Sequence, residues 1–290
     1  MVLFLLMILL HRSSAHPTLL NIPDCGLTRV APRIIGGVDA SINQAPWFVQ
    51  LVFDKYFCGG SLITLRHVMS AAHCGAQKAY LRDPAGFLKV LRVKVGSSIA
   101  SDMKIYHPVA VRRHPKFNGH YYFNDIMIVD VGQEIRVRGV RPICLVSEKE
   151  KDYAVEGAMA VVFGFGKISA TSKKNAETLQ VTVQKILPKK TCANHPRLKD
   201  YLYDTSLHIC AYLALTRKGR TDACEGDSGG ALSVVRKYGE RSVRQFAVGI
   251  VSYGFNCAVR NYPGIYTRVS TYQKFIVKTV QAMHGQKYLF

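Results

Sequence analysis

From residue 34 onward, apolar positions fall in short runs separated by turn-forming residues. "WFVQLVF" (47–53), "LKVLRVKV" (88–95), "IMIVDV" (126–131), "AMAVVFGFG" (158–166), "LQVTVQKI" (179–186), "QFAVGIVSYG" (245–254) and "GIYTRV" (264–269) are the clearest. They are rich in Val, Ile, Phe and Tyr and bounded by Gly, Pro, Asn or Asp, which predicts β-strands. Helical spacing is sustained only near the end. There Tyr272, Phe275, Ile276, Val280 and Met283 recur on one face, predicting a helix over 271–283. Many short strands with one terminal helix define an all-β class, arranged as two barrels or sandwiches.

The first 33 residues have a different texture. "MVLFLLMILL" (1–10) is apolar but too short to span a bilayer. "HRSSA" follows, with Ser13 and Ala15 spaced as a small-x-small cleavage site, so residues 1–15 read as a signal peptide and the protein as secreted and extracellular. Residues 16–33 contain three prolines, end in Arg33 and read as an extended pro-segment. No later run is apolar for long enough to be a membrane span. Export implies an oxidising compartment in which disulfides persist. The eight cysteines are Cys25, Cys58, Cys74, Cys144, Cys192, Cys210, Cys224 and Cys257, with no CxxC pair. Four disulfides therefore fit better than a metal site, but their connectivity is not given by the spacing.

Charge adds a second theme. The 290 residues carry 39 Lys+Arg against 19 Asp+Glu, a formal net charge of +20. The cations are scattered, with small clusters at Arg112-Arg113, Lys173-Lys174, Lys189-Lys190 and Arg217/Lys218/Arg220. Such a surface attracts polyanions, whether sulfated glycans, anionic lipid headgroups or nucleic acid, or is simply solvated. No zinc-finger, RNP-type or basic-zipper pattern is present, so no specific nucleic acid is expected. No N-x-[ST] sequon exists, and no N-glycan is expected.

Against that basic background, "DACEGDSGGAL" (222–232) places Asp222, Glu225 and Asp227 within six residues beside Ser228. Gly226-Asp227-Ser228-Gly229-Gly230 fits G-x-S-x-G, the nucleophile elbow of α/β-hydrolases. That reading requires alternating strands and helices upstream, and an acid and then a histidine downstream. Only His284 follows Ser228, in the predicted terminal helix. The remaining chain order is His…Asp…Ser. His73 lies in "SAAHC" (70–74), and Asp83, Asp102, Asp125 and Asp130 lie between it and the serine.

"RIIGG" (33–37), "SAAHC", "NDIMIV" (124–129), "GDSGG" (226–230), "SYG" (252–254) and "PGIYT" (263–267) occur in one order over about 34–283. In these motifs the chain resembles the trypsin-like serine proteases of the chymotrypsin family. The resemblance selects Asp125 among the candidate acids. It implies two six-stranded antiparallel β-barrels, about 34–140 and 141–270, a C-terminal α-helix, and a peptidase domain over 34–290.

The implied chemistry is consistent with each residue type. A serine hydroxyl is a weak nucleophile at neutral pH, so His73 would take its proton during attack and return it to the leaving amine. Asp125 would fix the imidazole tautomer and stabilise the imidazolium. The backbone N–H groups of Gly226 and Ser228 would face the developing oxyanion. Ser252 resembles the family serine that hydrogen-bonds the catalytic aspartate. The resemblance also implies the disulfides Cys58–Cys74, Cys192–Cys210, Cys224–Cys257 and Cys25–Cys144, the last tethering the pro-segment. Cleavage after Arg33 would free the amine of Ile34 to pair with Asp227, an internal ion pair able to bias a two-state switch. The activator would then itself be trypsin-like, or the zymogen itself.

Asp222 falls where the family places the base of its primary pocket, and a carboxylate there selects Arg or Lys. Gly254 and Gly264 match positions that keep this pocket open. Ala223 lies where many relatives have serine, and the missing hydroxyl implies Arg preferred over Lys. Tyr253 and Phe165 replace family tryptophans. Asn256 stands where a glycine often lies near the pocket mouth. About ten extra residues follow Cys74, in "GAQKAYLRDPAGFLK" (75–89). Asp102 is the sole acid from 84 to 124, which argues against a calcium loop. Pro263 stands where sodium-dependent relatives carry tyrosine. The resulting expectation is a monomeric zymogen of a secreted endopeptidase without cofactor or metal. Its partners would be Arg- or Lys-containing substrates, protein inhibitors and an anionic glycan. Glu225 has no assigned role. A non-catalytic polyanion-binding protein on the same scaffold is the alternative from another class.

Overall fold

The computed structural model describes residues 20–29, 38–54, 56–76, 83–146, 153–167, 172, 174–200, 203–213, 226–240, 242–254 and 262–285. The N-terminal strands β1 (Leu27–Arg29) and β2 (Val38–Asp39) belong to the second of two sheets. The first sheet is formed by β3 (Phe48–Phe53), β4 (Tyr56–Leu62), β5 (His67–Ser70), β6 (Leu91–Val95), β7 (Lys104–Tyr106), β8 (Ala110–Arg113) and β9 (Met127–Asp130). The second also contains β10 (Cys144–Leu145), β11 (Met159–Gly164), β12 (Gln180–Ile186), β13 (His208–Leu213), β14 (Ala231–Tyr238), β15 (Ser242–Tyr253) and β16 (Gly264–Arg268).

The second sheet runs β15-β14-β11-β12-β13-β16, and β16 pairs back onto β15, closing a six-stranded antiparallel barrel. β1, β2 and β10 are appended to it, β10 in parallel with β15. The first sheet runs β7-β6-β3-β4-β5-β9-β8 and is a half-barrel with β8 at one edge. The all-β fold with two barrel-like sheets and a terminal helix is thus as expected, with seven strands where six were counted in the first half.

Helices are few. The segment 88–95 was expected as strand throughout, but Leu88–Val90 belongs to helix α1 (Pro84–Val90) and only Leu91–Val95 is extended. Asp83 explains the difference: its side chain caps the helix by accepting from Gly86 N, and Pro84 fits the first turn. α1 lies in the longer stretch after Cys74 and buries Phe87 against Phe53, ring centroids 6.1 Å apart. Two short helices, α2 (Lys189–Ala193) and α3 (Pro196–Asp200), precede β13. The terminal helix α4 (Gln273–Gly285) follows a 3-10 turn over Val269–Tyr272. Its Ile276, Val280 and Met283 are buried, as expected, while Phe275 is half-buried.

Where the sheets meet, Trp47 packs edge-on to Phe163 and Phe48 against Phe165. Their apolar side chains join one continuous core, so the halves hold each other in register through buried area. Three of the implied disulfides are present: Cys25–Cys144, Cys58–Cys74 and Cys192–Cys210. The fourth, Cys224–Cys257, lies outside the described residues, as do residues 1–15, Arg33, Ile34, Asp222, Ala223, Glu225 and Asn256.

Candidate active site

His73 sits in a 3-10 turn, Ala72–Gly75, directly after β5, and the disulfide Cys58–Cys74 fastens that turn to β4. Asp125 lies two residues before β9, on the other side of the histidine. Its Oδ1 accepts the His73 backbone N–H at 2.8 Å, and its Oδ2 lies 2.8 Å from His73 Nδ1. Two bonds from one carboxylate fix both the position and the ring orientation of the histidine. Asp125 is fully buried, while the His73 side chain keeps 22% exposure.

The second sheet supplies the rest of this clamp. Ser252, on β15, donates to Asp125 Oδ2 at 2.5 Å, and Thr267, on β16, donates to the Asp125 carbonyl at 2.9 Å. Burial works against the ionised carboxylate. The nearby imidazole and the hydrogen bonds from His73 and Ser252 outweigh it and hold the Asp125 pKa below the usual carboxylate value. At His73, burial disfavours the imidazolium, but the charge and hydrogen bond of Asp125 prevail and raise its pKa above the ordinary histidine value.

Ser228 approaches from the turn before β14. Its carbonyl accepts from Gly59 N at 2.7 Å, joining this turn to β4, and Cys74 Sγ lies 3.9 Å from that oxygen and 3.8 Å from His73 Nε2. The serine turn and the unbonded edge of the imidazole therefore meet across the Cys58–Cys74 disulfide. Ser228 Oγ itself makes no hydrogen bond among the described residues, so the structure brings His73 and Asp125 into contact but leaves the His73–Ser228 bond unformed. Such bonds tighten on substrate binding. The N–H groups of Gly226 and Ser228 are likewise not hydrogen-bonded among the described residues, which leaves two donors side by side. Gly226 has φ +98°, and a Cβ there would lie 2.9 Å from both Gly166 Cα and the Phe57 ring. Only glycine makes this turn without strain.

Asp227 points away from the serine. It is buried at 7% exposure, and its Oδ1 accepts from Gly166 N at 2.9 Å. A Cβ at Gly166 would lie 2.7 Å from the carboxylate, so the glycine makes room for this charge. Gly254 and Gly264 face each other, with a Cβ on the former reaching to 3.9 Å of the latter's Cα.

Three contributors were not visible in the sequence. Tyr122 stacks on Tyr253, ring centroids 5.1 Å apart, and meets the His73 ring edge-on at 5.6 Å. It has φ +55° and Asn124 has φ +56°, so two left-handed residues flank the approach to Asp125. His208, buried on β13, holds this loop through its Nε2, 3.5 Å from the Tyr122 carbonyl, and through ring contacts with Phe123 and Tyr253. Thr267 is the third. A "PGIYT" match marks the segment but not the bond its hydroxyl makes.

Among the described residues, one Cys/His group, Cys58, His73 and Cys74, has donor atoms within 4.8 Å of one another. Both sulfurs are consumed in a disulfide and offer no thiolate to a metal. No helix among the described residues is long and apolar enough to cross a membrane.

A family model described as Trypsin matches residues 34–276. The chain is 31% identical over 275 residues to the venom serine protease Bi-VSP of Bombus ignitus, covering 89% of this chain and 72% of that one. It is 31% identical over 269 residues to trypsin epsilon of Drosophila erecta, covering 90% and 93%, and 31% over 255 residues to the venom protease of Bombus pensylvanicus, covering 82% and 96%.

Proposed function

Since this chain belongs to the trypsin family and is a serine endopeptidase, we propose that it is secreted as a zymogen, activated by cleavage after Arg33, and hydrolyses peptide bonds after Arg in preference to Lys. The proposed organisation is a signal peptide over 1–15, a pro-segment over 16–33 and a peptidase domain over 34–290. The observation that carries the catalytic assignment is the Asp125 carboxylate, buried, ionised and divided between His73 and Ser252.

In the proposed cycle, Nδ1 of His73 carries the proton toward Asp125, which leaves Nε2 basic and turned to the serine side. Nε2 removes the Ser228 proton as Oγ attacks the scissile carbonyl. The oxygen of that carbonyl, now negative, enters the unoccupied donors of Gly226 and Ser228. Imidazolium forms next to a buried carboxylate that favours it, then protonates the leaving amine. Water repeats the sequence on the acyl-enzyme. Asp222 would hold the substrate guanidinium between walls kept open at Gly254 and Gly264. Asp227, in its glycine-lined recess, is suited to receive the Ile34 amine, since a buried carboxylate gains most from a cationic partner.

The test is chemical. After cleavage at Arg33, the protein should hydrolyse an Arg-anilide and take a fluorophosphonate label at Ser228, and Ser228→Ala should do neither. A cleaved, folded preparation that does neither as wild type supports the non-catalytic alternative.

A further inference from the structure

Three neighbouring strands of the closed barrel each send a hydrogen-bond donor into the loop that ends at Asp125. Thr267, on β16, donates to the Asp125 carbonyl, and Ser252, on β15, donates to its carboxylate. Ser252 lies at an irregularity of β15, where Val251 pairs with Tyr266 and Tyr253 with Ile265 on β16. Such a bulge re-aims a side chain. His208, on β13, is the third donor. It is the direct cross-strand partner of Thr267, so the two side chains stand on one face of the sheet. Its Nε2 meets the carbonyl of Tyr122, earlier in the same loop as Asp125.

The proton of His208 is placed by its neighbours. The Asp204 backbone N–H, a group that can only donate, points at Nδ1 from 3.4 Å. Nδ1 therefore accepts, and the single proton of the neutral ring sits on Nε2, facing the Tyr122 carbonyl at 3.5 Å. Burial holds the His208 pKa below the ordinary histidine value, against the bond to Tyr122 and the charges of Asp204 and Asp125, so the ring is neutral wherever His73 is. The His208 carbonyl accepts from Arg268 Nη2 at 3.2 Å and from the Tyr203 hydroxyl at 3.3 Å, which fixes the residue from behind. What it holds is a strained partner. Tyr122 keeps φ +55°, a conformation that a bulky residue retains only where its surroundings enforce it. In that conformation its half-buried ring stacks on Tyr253 and meets His73 edge-on. Tyr253 in turn meets the His208 ring edge-on at 6.2 Å, so both residues of this aromatic wall rest on one histidine.

We infer that His208 is a positioning residue for substrate: it fixes the Tyr122 backbone, and with it the Tyr122–Tyr253 wall that a peptide meets beside His73. The inference rests on the catalytic reading above for where the peptide lies. Thr267 and Ser252 bond Asp125 directly, without His208. Loss of His208 should therefore leave the histidine and its acid in place and let the wall move. The effect falls on binding of the substrate residues ahead of the scissile Arg and not on the chemical step.

Kinetics of the cleaved protein test it, with active sites counted by fluorophosphonate labelling, on a tetrapeptide anilide ending in Arg and on acetyl-Arg anilide. His208→Phe keeps a ring but has neither donor nor acceptor. It should raise KM for the tetrapeptide about five- to tenfold, the effect of one hydrogen bond, with kcat within about twofold and the acetyl-Arg anilide unaffected. His208→Gln, whose amide can accept from the Asp204 N–H and donate to the Tyr122 carbonyl, should stay within about twofold of wild type on both. His208→Met, also without a donor, makes the same measurement if the Phe variant does not fold. A fall in kcat at constant KM, an equal loss on both anilides, or a Gln variant as weak as the Phe variant would overturn the inference. Calorimetric binding of the uncleaved tetrapeptide to Ser228→Ala needs no turnover, and adding His208→Phe should weaken it by the same factor. Unchanged binding there counts against His208 alone. A wild type that neither hydrolyses nor labels, while the effect of His208 on binding persists, counts against the catalytic reading alone.

Discussion

The hydroxyl of Ser252 lies 2.5 Å from Oδ2 of Asp125, the same oxygen that contacts His73 Nδ1, so a residue of the closed barrel positions an acid of the open one. A charge-assisted bond to a buried carboxylate contributes about 2 kcal/mol. Ser252→Ala should destabilise the fold by that order in urea unfolding. It should also lower kcat/KM by about tenfold, because the histidine loses part of its support. An unchanged kcat/KM would show that the two bonds from His73 suffice.

The pH profile follows from the same acid. With His73 as the proposed base, catalysis would require it neutral, and its pKa is raised above the ordinary histidine value by Asp125. kcat/KM should therefore be low in acid and rise through one ionisation lying above that ordinary value. Asp125→Asn should reduce kcat by about 10⁴-fold by presenting the wrong tautomer. A profile flat across the neutral range would remove His73 as the base.

At the serine, Gly226→Ala places a methyl group against Gly166 and Phe57 on a left-handed backbone. The turn must shift and carry one N–H away from the oxyanion. The expected loss is about 10²- to 10³-fold in kcat with KM little changed. A rise in KM alone would indicate a pocket defect instead.

In the proposed reading, specificity would rest on Ala223 beside Asp222. A guanidinium satisfies a lone carboxylate with two bonds, whereas an ammonium wants a further acceptor. kcat/KM on matched peptide substrates should favour Arg over Lys, and Ala223→Ser should narrow the gap. Equality or Lys preference in the parent enzyme would refute the assignment.

Away from the cleft, His67 is fully buried, with Nδ1 on Thr64 Oγ1 at 2.8 Å. Burial pushes its pKa down to about 4; Asp130 opposes this, while Arg66 and His284 add to it. Between the ordinary histidine value and about 4 the unfolded chain binds the extra proton, so stability should fall as pH drops through that window, by about 3 kcal/mol in all. His67→Phe should flatten this part of the stability–pH curve. An unaltered slope would place the acid sensitivity elsewhere.

What could be read in advance was local. "SAAHC" and "GDSGG" are motifs whose residues lie close in sequence, and the alternation in "WFVQLVF" reports its own strand. The contacts of Tyr122, His208 and Thr267 are long-range: His208 meets the Tyr122 carbonyl 86 residues away, and Thr267 meets Asp125 at a separation of 142. No window of sequence contains both partners. α1 was misread for a narrower reason. Its apolar residues run on into β6 without a break, and the local sign of a helix is confined to its Asp83-Pro84 start.

The short strand β1 has a consequence for how the mature molecule would be handled. It pairs with β15 at Leu27↔Arg244, Cys25 is bonded to Cys144, and the Asn21 side chain both donates to and accepts from the Leu145 backbone. Severing the chain after Arg33 would leave this piece held by covalent and non-covalent links together. The product would be a two-chain heterodimer that migrates as one band until a reductant is added. An epitope placed just behind the proposed leader would thus report the cleaved species as faithfully as its precursor.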